Sequence, residues 1–323
     1  TSSSYNATSN KYVVSTLGHL SFIAQNTSFW SKNFIQTANI DATVTKFWDD
    51  ADDTGGVSGD KYNDDNDATS TGTNEGFFPI GNSSTKFTGE YDGGGYSISS
   101  LTINRTSASK VGLFGITSGA KISNLRVTNG NITGDQWVGS LVGHSINSTV
   151  IDNCEVSGSV VSTYITGGLV GYPYGNGNII RNSSSTASVN GGSGNHTGGL
   201  VGFMYDGSIV NSYSTGSVVT SSSGRGGLLG GKGGSLTITN SFYDSTTSGQ
   251  SDSGKGTGKT TAQMKTVSTF TSWDFNDIWG IDTSGTINGG YPYLKNDPGD
   301  HFYESVVTLH NLDNDVNVAV NVS

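Results

Sequence analysis

A chain of 323 residues with 48 glycines, 4 prolines, 13% charged and 32% hydrophobic residues departs far from ordinary globular composition. It lacks the Glu/Lys-rich amphipathic segments that long helices need, which leaves an all-β class. The net charge of −10 argues against nucleic acid or an anionic membrane surface as partner, because both would repel it. Cys154 is the single cysteine, so an intrachain disulfide and a cysteine zinc cluster are excluded. Short alternating runs of Val, Ile, Leu, Phe and Tyr recur throughout, as in a folded chain with a thin core. No run of 18 apolar residues occurs, so membrane insertion is not expected. Thr1 to Ser4 lack a charged region followed by an apolar one, so a secreted form would already have lost its signal.

Residues 1–80 read as an N-terminal cap. Leu17 to Ala24, continuing through Phe29-Trp30 to Phe34-Ile35, predicts a short helix followed by a strand with Ile35, Ala38 and Ile40 facing inward. Such a cap would shield the first unit of a repeat array. Asp49, Asp50, Asp52, Asp53, Asp60, Asp64, Asp65 and Asp67 then form an acidic loop without EF-hand spacing. Crowded carboxylates repel unless a cation joins them, which makes Asp60, Asp64 and Asp67 candidate calcium ligands. The alternative is a solvated loop.

Residues 81–295 carry a repeat. Leu113, Leu141, Leu169, Leu200 and Leu228 sit in Gly-Leu-Val-Gly-like segments, spaced 28, 28, 31 and 28 positions apart. Asn124, Asn153, Asn182, Asn211 and Asn240 recur every 29 residues, each two positions after an isoleucine. Two out-of-phase series of one period indicate a single supersecondary unit repeated about five times. Each unit reads as three short strands joined by turns, which is one coil of a right-handed parallel β-helix. Coils stacked about 4.8 Å apart would ladder the leucines inside. The asparagines would hold a left-handed corner, their amides bonding up and down the stack.

The Gly-Leu-Val-Gly series resembles the GLUG-motif repeats of bacterial and archaeal surface proteins and adhesins. Phe87 to Ile103 is similar to the coil that leads into such repeats. Thr261 to Lys265, Trp273, Trp279 and Gly290 to Leu294 are similar to the segment that closes them. The resemblance implies a β-solenoid exported to the cell surface and implies no single activity.

Residues 296–323 form a tail in which Val316, Val318, Val320 and Val322 alternate with other residues, as in a half-buried strand. Solenoid ends expose strand edges that accept an added strand. The tail is therefore a candidate donor strand for head-to-tail assembly of copies into a filament, the leading expectation, unless it folds back on its own chain. The alternative function is an extracellular adhesin. Tyr164, Tyr172, Tyr174, Tyr205, Tyr213, Phe242 and Tyr243 are candidates for stacking on surface glycans. Catalysis is not expected. Asp135, Asp152, Glu155, Asp206 and Asp244 do not recur in pairs at the repeat period, and neither a His-Glu-x-x-His motif nor a nucleophile elbow occurs.

Overall fold

The computed structural model describes residues 5–6, 10–48 and 74–295. The acidic loop with Asp60, Asp64 and Asp67, and the tail with Val316, Val318, Val320 and Val322, lie outside the described residues.

One coil shows the plan. Val142–Ile146, Val150–Asp152, Glu155–Val161 and Ile165–Gly167 follow each other around the circuit, so a coil has four strands where the sequence indicated three. Equivalent strands pair in parallel with the coils on either side. They form sheets of five, nine, eleven and three strands. The result is a parallel β-solenoid. Nine strands at the usual spacing extend about 38 Å along the axis.

Side-chain alternation on each strand separates a core from a surface. Leu113, Leu141, Leu169, Leu200 and Leu228 are fully buried, as are their neighbours Phe114, Val142, Val170, Val201 and Leu229. In the nine-stranded sheet the register stacks Phe34, Tyr91, Ile122, Ile151, Ile180 and Ile209. Each such side chain contributes roughly 1.5–3 kcal/mol when removed from water. The glycine before Leu200 answers a close approach: a Cβ on Gly199 would lie 2.2 Å from the Gly227 carbonyl oxygen.

The N-terminal segment joins the solenoid directly. Lys11–Val14 and Phe34–Gln36 are consecutive strands of the nine-stranded sheet, and the helix Leu17–Gln25 between them buries Leu20 and Ile23. Thr16 caps it by accepting the His19 N–H at 3.2 Å. The inward residues of the second strand are Phe34 and Gln36, and Ile35 and Ala38 are only half-buried. This corrects the expected phase by one residue, with Ile40 remaining buried. Gln36 is tolerated inside because its amide donates to the carbonyls of Ala38 and Ser97 at 2.8 and 3.0 Å and accepts from Tyr91 Oη at 3.0 Å.

The downstream segment does not sit on top of the stack. It runs back along the outer face of the eleven-stranded sheet. Trp273 Nε1 donates to Asn240 O at 2.8 Å, Tyr291 Oη bonds Asp244 at 2.7 Å, and Arg126 donates to Leu294 O at 2.7 Å. Along this path Tyr213, Phe242, Met264, Phe270, Trp273, Trp279 and Leu294 form a second apolar cluster outside the solenoid. The antiparallel pair Trp279–Ile281 and Pro292–Leu294 ends it, reaching from Tyr213, which donates to Pro292 O, to Arg126 and Glu155, which hold Leu294.

Candidate functional site

The asparagine corners are structural. Asn124, Asn153, Asn182, Asn211 and Asn240 have φ between 46° and 54°, the left-handed region that asparagine tolerates better than most residues. The continuous amide ladder expected from the sequence is corrected. Asn153 donates to Asn124 at 3.3 Å and Asn124 to Asp92 at 3.0 Å, but Asn182 turns to Asp152 at 3.1 Å. Arg181, 2.7 Å from the same carboxylate, holds Asp152 within reach of that amide. The next residue carries the more regular ladder. Ser183, Ser212 and Ser241 accept the N–H of Cys154, Ser183 and Ser212 at 3.1, 3.2 and 3.2 Å. Each hydroxyl then donates to the carbonyl two residues back. These serines supply the acceptors that the corner denies to the buried amides.

The acids weighed for catalysis are engaged in such roles. Glu155 joins Arg126 at 2.9 Å and accepts the Leu294 N–H at 3.2 Å. Asp244 caps a short helix and bonds Thr261 and Tyr291. Asp206 accepts the Ser235 N–H, and Asp135 accepts from the Thr163 hydroxyl. Burial pushes the Cys154 thiol up to about 12, which leaves it a protonated core residue.

The aromatic candidates divide. Tyr213, Phe242 and Tyr243 are buried, which corrects their assignment as exposed, whereas Tyr164, Tyr174 and Tyr205 are 37%, 48% and 43% exposed. Two of these belong to a continuous outer face. In the five-stranded sheet the register places Ile116, His144 and Tyr172 in one outward column, and Phe203 continues it above Gly231. A second column sets Lys110 beside Trp137 through the Val111–Val138 bridge and Ile165 beside His196. Ring centroids lie 5.0 Å apart for Trp137–His144, 5.2 Å for His144–Tyr172, 5.7 Å for Tyr172–Phe203 and 5.7 Å for Tyr174–Tyr205. These separations are typical of interacting rings. His144 accounts for its Nδ1 with the Tyr172 carbonyl at 2.7 Å. Burial, reinforced by the Lys110 ammonium, holds its charged form below the ordinary histidine range despite that bond.

At the N-terminal end of this face lies a cleft of about 140 Å³ between Phe78, Pro79, Arg105, Lys110 and Ile116. Lys110 Nζ bonds Ser83 Oγ at 2.9 Å and stands 5.2 Å from the centre of the Trp137 ring. Trp137 has φ of 57°, an unfavourable backbone for a bulky residue and one found at sites where geometry is imposed. The sequence carries a signal for this face. His144, Tyr172 and Phe203 each follow the second glycine of a Gly-Leu-Val-Gly-like segment.

Comparison with known proteins agrees with this architecture. The GLUG motif matches residues 193–219, which include Leu200 and Asn211. A protein of Evansella cellulosilytica, provisionally named a Gly-rich membrane protein, is 45% identical over 111 residues, 32% of this chain and 13% of that protein. Halomucin of Haloquadratum walsbyi is 33% identical over 281 residues, 74% of this chain and 3% of its own length. The chain thus spans only 13% and 3% of these curated relatives. A crystal structure from Bacteroides ovatus, provisionally described as an immunoglobulin A1 protease, superposes with a TM-score of 0.59 at 17% identity, over 89% of this chain and 93% of that one. At that identity the likeness speaks for the fold alone. This chain is thus a parallel β-solenoid that carries a GLUG motif at residues 193–219 and repeats the leucine and asparagine positions of that coil in the others.

Proposed function

We propose that this chain is a non-catalytic adhesive module of a microbial surface protein, a rigid solenoid that presents an aromatic face to glycans. The observation that carries this reading is the outward file of Trp137, Tyr172, Phe203, Tyr174 and Tyr205, whose rings are joined by centroid distances of 5.5–5.7 Å. Flat apolar rings with polar tips stack on the C–H faces of sugars. Coils repeat at about 4.8 Å, close to one sugar unit of an extended polysaccharide, so successive rings meet successive units. The surface character implied by the names of its halomucin and membrane-protein relatives supports an extracellular location. The engagement of Asp152, Glu155 and Asp244 in structural bonds supports the absence of a catalytic step.

Glycan-array binding of the chain, compared with a Tyr174→Ala/Tyr205→Ala double variant, tests the reading. Selective binding weakened about tenfold by the double substitution is the expected result. Binding that the variant leaves intact would sink it. A second reading, filament assembly through the donor strand at Val316, Val318, Val320 and Val322, is supported by Leu236–Thr239, the last strand of the nine-stranded sheet. That strand ends the sheet beside a cleft of about 300 Å³. Electron microscopy with and without residues 303–323 tests it, filaments lost on truncation being the supporting outcome. Calcium at Asp60, Asp64 and Asp67 completes the proposal, and calorimetric titration of an Asp60→Asn/Asp64→Asn/Asp67→Asn variant checks it.

A further inference from the structure

The cleft and the aromatic face share residues, and their chemistry differs from that of the rest of the molecule. The chain carries a net charge of −10, yet the cleft is lined by Arg105 and Lys110 with no acidic side chain among its lining residues. Arg105 is already committed: it donates to the carbonyls of Gly76 and Phe77 and lies 4.9 Å from the centre of the Phe78 ring. Lys110 is differently placed. Its contacts are the Ser83 hydroxyl and the Trp137 ring, and no carboxylate of the described residues pairs with it. It is half-buried and sits in the left-handed region with φ of 68°, directly beside Trp137 with φ of 57° on the next coil. Two non-glycine residues in unfavourable backbone at adjacent rungs fix an ammonium and an indole plane in one orientation. His144, behind them, stays neutral near pH 7, because burial and Lys110 both disfavour its charged form. Of the two cations at the cleft, Arg105 is held by backbone carbonyls and the Lys110 ammonium is the one placed against the aromatic file.

An ammonium beside an aromatic plane, at the end of a file of rings spaced for sugar units, selects a sugar with an anionic substituent next to its ring. We infer that this face binds an acidic polysaccharide of the uronate class. One uronate carboxylate enters the cleft to meet Lys110, and the pyranose rings of that unit and its neighbours lie over Trp137, Tyr172 and Tyr174. The inference rests on the glycan-binding reading above and names its ligand class. Overall charge works against any polyanion, so binding of this class must come from a local site. It weakens with salt because an ion pair is screened.

The experiment compares a panel of polyuronates (polygalacturonate, alginate and hyaluronate) with their methyl esters, by calorimetry on the full chain. EDTA is present so that calcium bridging cannot substitute for the lysine. The expected result is at least about tenfold tighter binding of one free acid than of its ester. Lys110→Gln should abolish that preference and Lys110→Arg should retain it. Both substitutions are at a residue outside the core, and an unchanged unfolding midpoint verifies the fold. Equal affinity for acid and ester, or a preference that survives Lys110→Gln, overturns the assignment. Failure to bind any polyuronate also overturns it. The glycan-binding reading falls separately, if neutral glycans are also ignored.

Discussion

The two ends of the eleven-stranded sheet solve the burial problem in opposite ways. In the early coils the inward column is Ile40, Ile98, Val127 and Val156, and the outward column holds the Arg126–Glu155 ion pair. In the later coils the inward column becomes Ser185 and Ser214 before Tyr243 closes it, and the outward column becomes Tyr213 and Phe242 under the returning segment. Each of these inward side chains lies over a glycine of the facing segment: a Cβ on Gly168 would approach Ser185 Oγ at 2.1 Å, one on Gly199 would approach Ser214 Oγ at 2.9 Å, and one on Gly227 would approach the Tyr243 ring at 2.0 Å. Apolar burial lost within those coils is thus recovered outside them. A thin solenoid core does not have to be uniformly apolar when one of its sheets is covered on both faces.

Trp279→Ala is the sharpest way to break the comparison, because it empties the outer cluster. It should cost about 3–5 kcal/mol, read from urea unfolding, and should leave binding at the opposite aromatic face unchanged. Leu169→Ala removes one rung of the inner ladder, fully buried between Leu141 and Leu200, and should cost about 2–5 kcal/mol in the same assay. Ser212→Ala takes away the hydroxyl that accepts the buried Ser183 N–H and should cost about 1–3 kcal/mol, where a surface serine would cost almost nothing. The smallest effect concerns pH. The folded-state pKa of His144 lies below its unfolded value of about 6.5. Its neutral form is therefore the one that folding favours. The stability it contributes is present above pH 6.5 and is lost as pH falls through and below that value. Replacing His144 by Gln should flatten the decline between pH 7 and 5 in unfolding midpoints.

Much of this was legible from periodicity. Two series with one period located the buried leucines and the left-handed asparagines, because a solenoid repeats its geometry and so repeats the residues that geometry requires. Other features escaped for identifiable reasons. Serines after the asparagines looked like ordinary strand residues, since an isolated sequence does not show that a hydroxyl replaces a missing ladder bond. The phase of Phe34-Ile35-Gln36 went wrong because Gln36 is polar yet satisfied inside. Tyr213 and Phe242 point outward as alternation requires, but the later segment from Met264 to Leu294 covers them. Short-range patterns cannot report such cover. The file through His144, Tyr172 and Phe203 was visible only to a reader who followed the residue after the second glycine through every repeat.

The backward course of residues 261–295 has a mechanical consequence. Lys11–Val14 and the strand before Arg126 are separated by three steps of the nine-stranded sheet, about 14 Å along the axis, and Leu294 is fastened to Arg126. The described chain therefore leaves about midway along the stack, beside Arg126 and Glu155, while the coils through Ile238 extend beyond that point. Tension applied to the two ends would pass through the lowest coils and the Arg126 anchor. The upper coils, with Tyr174 and Tyr205 on their flank, would hang to one side unloaded, as a pendant arm and not as a link in the line of force.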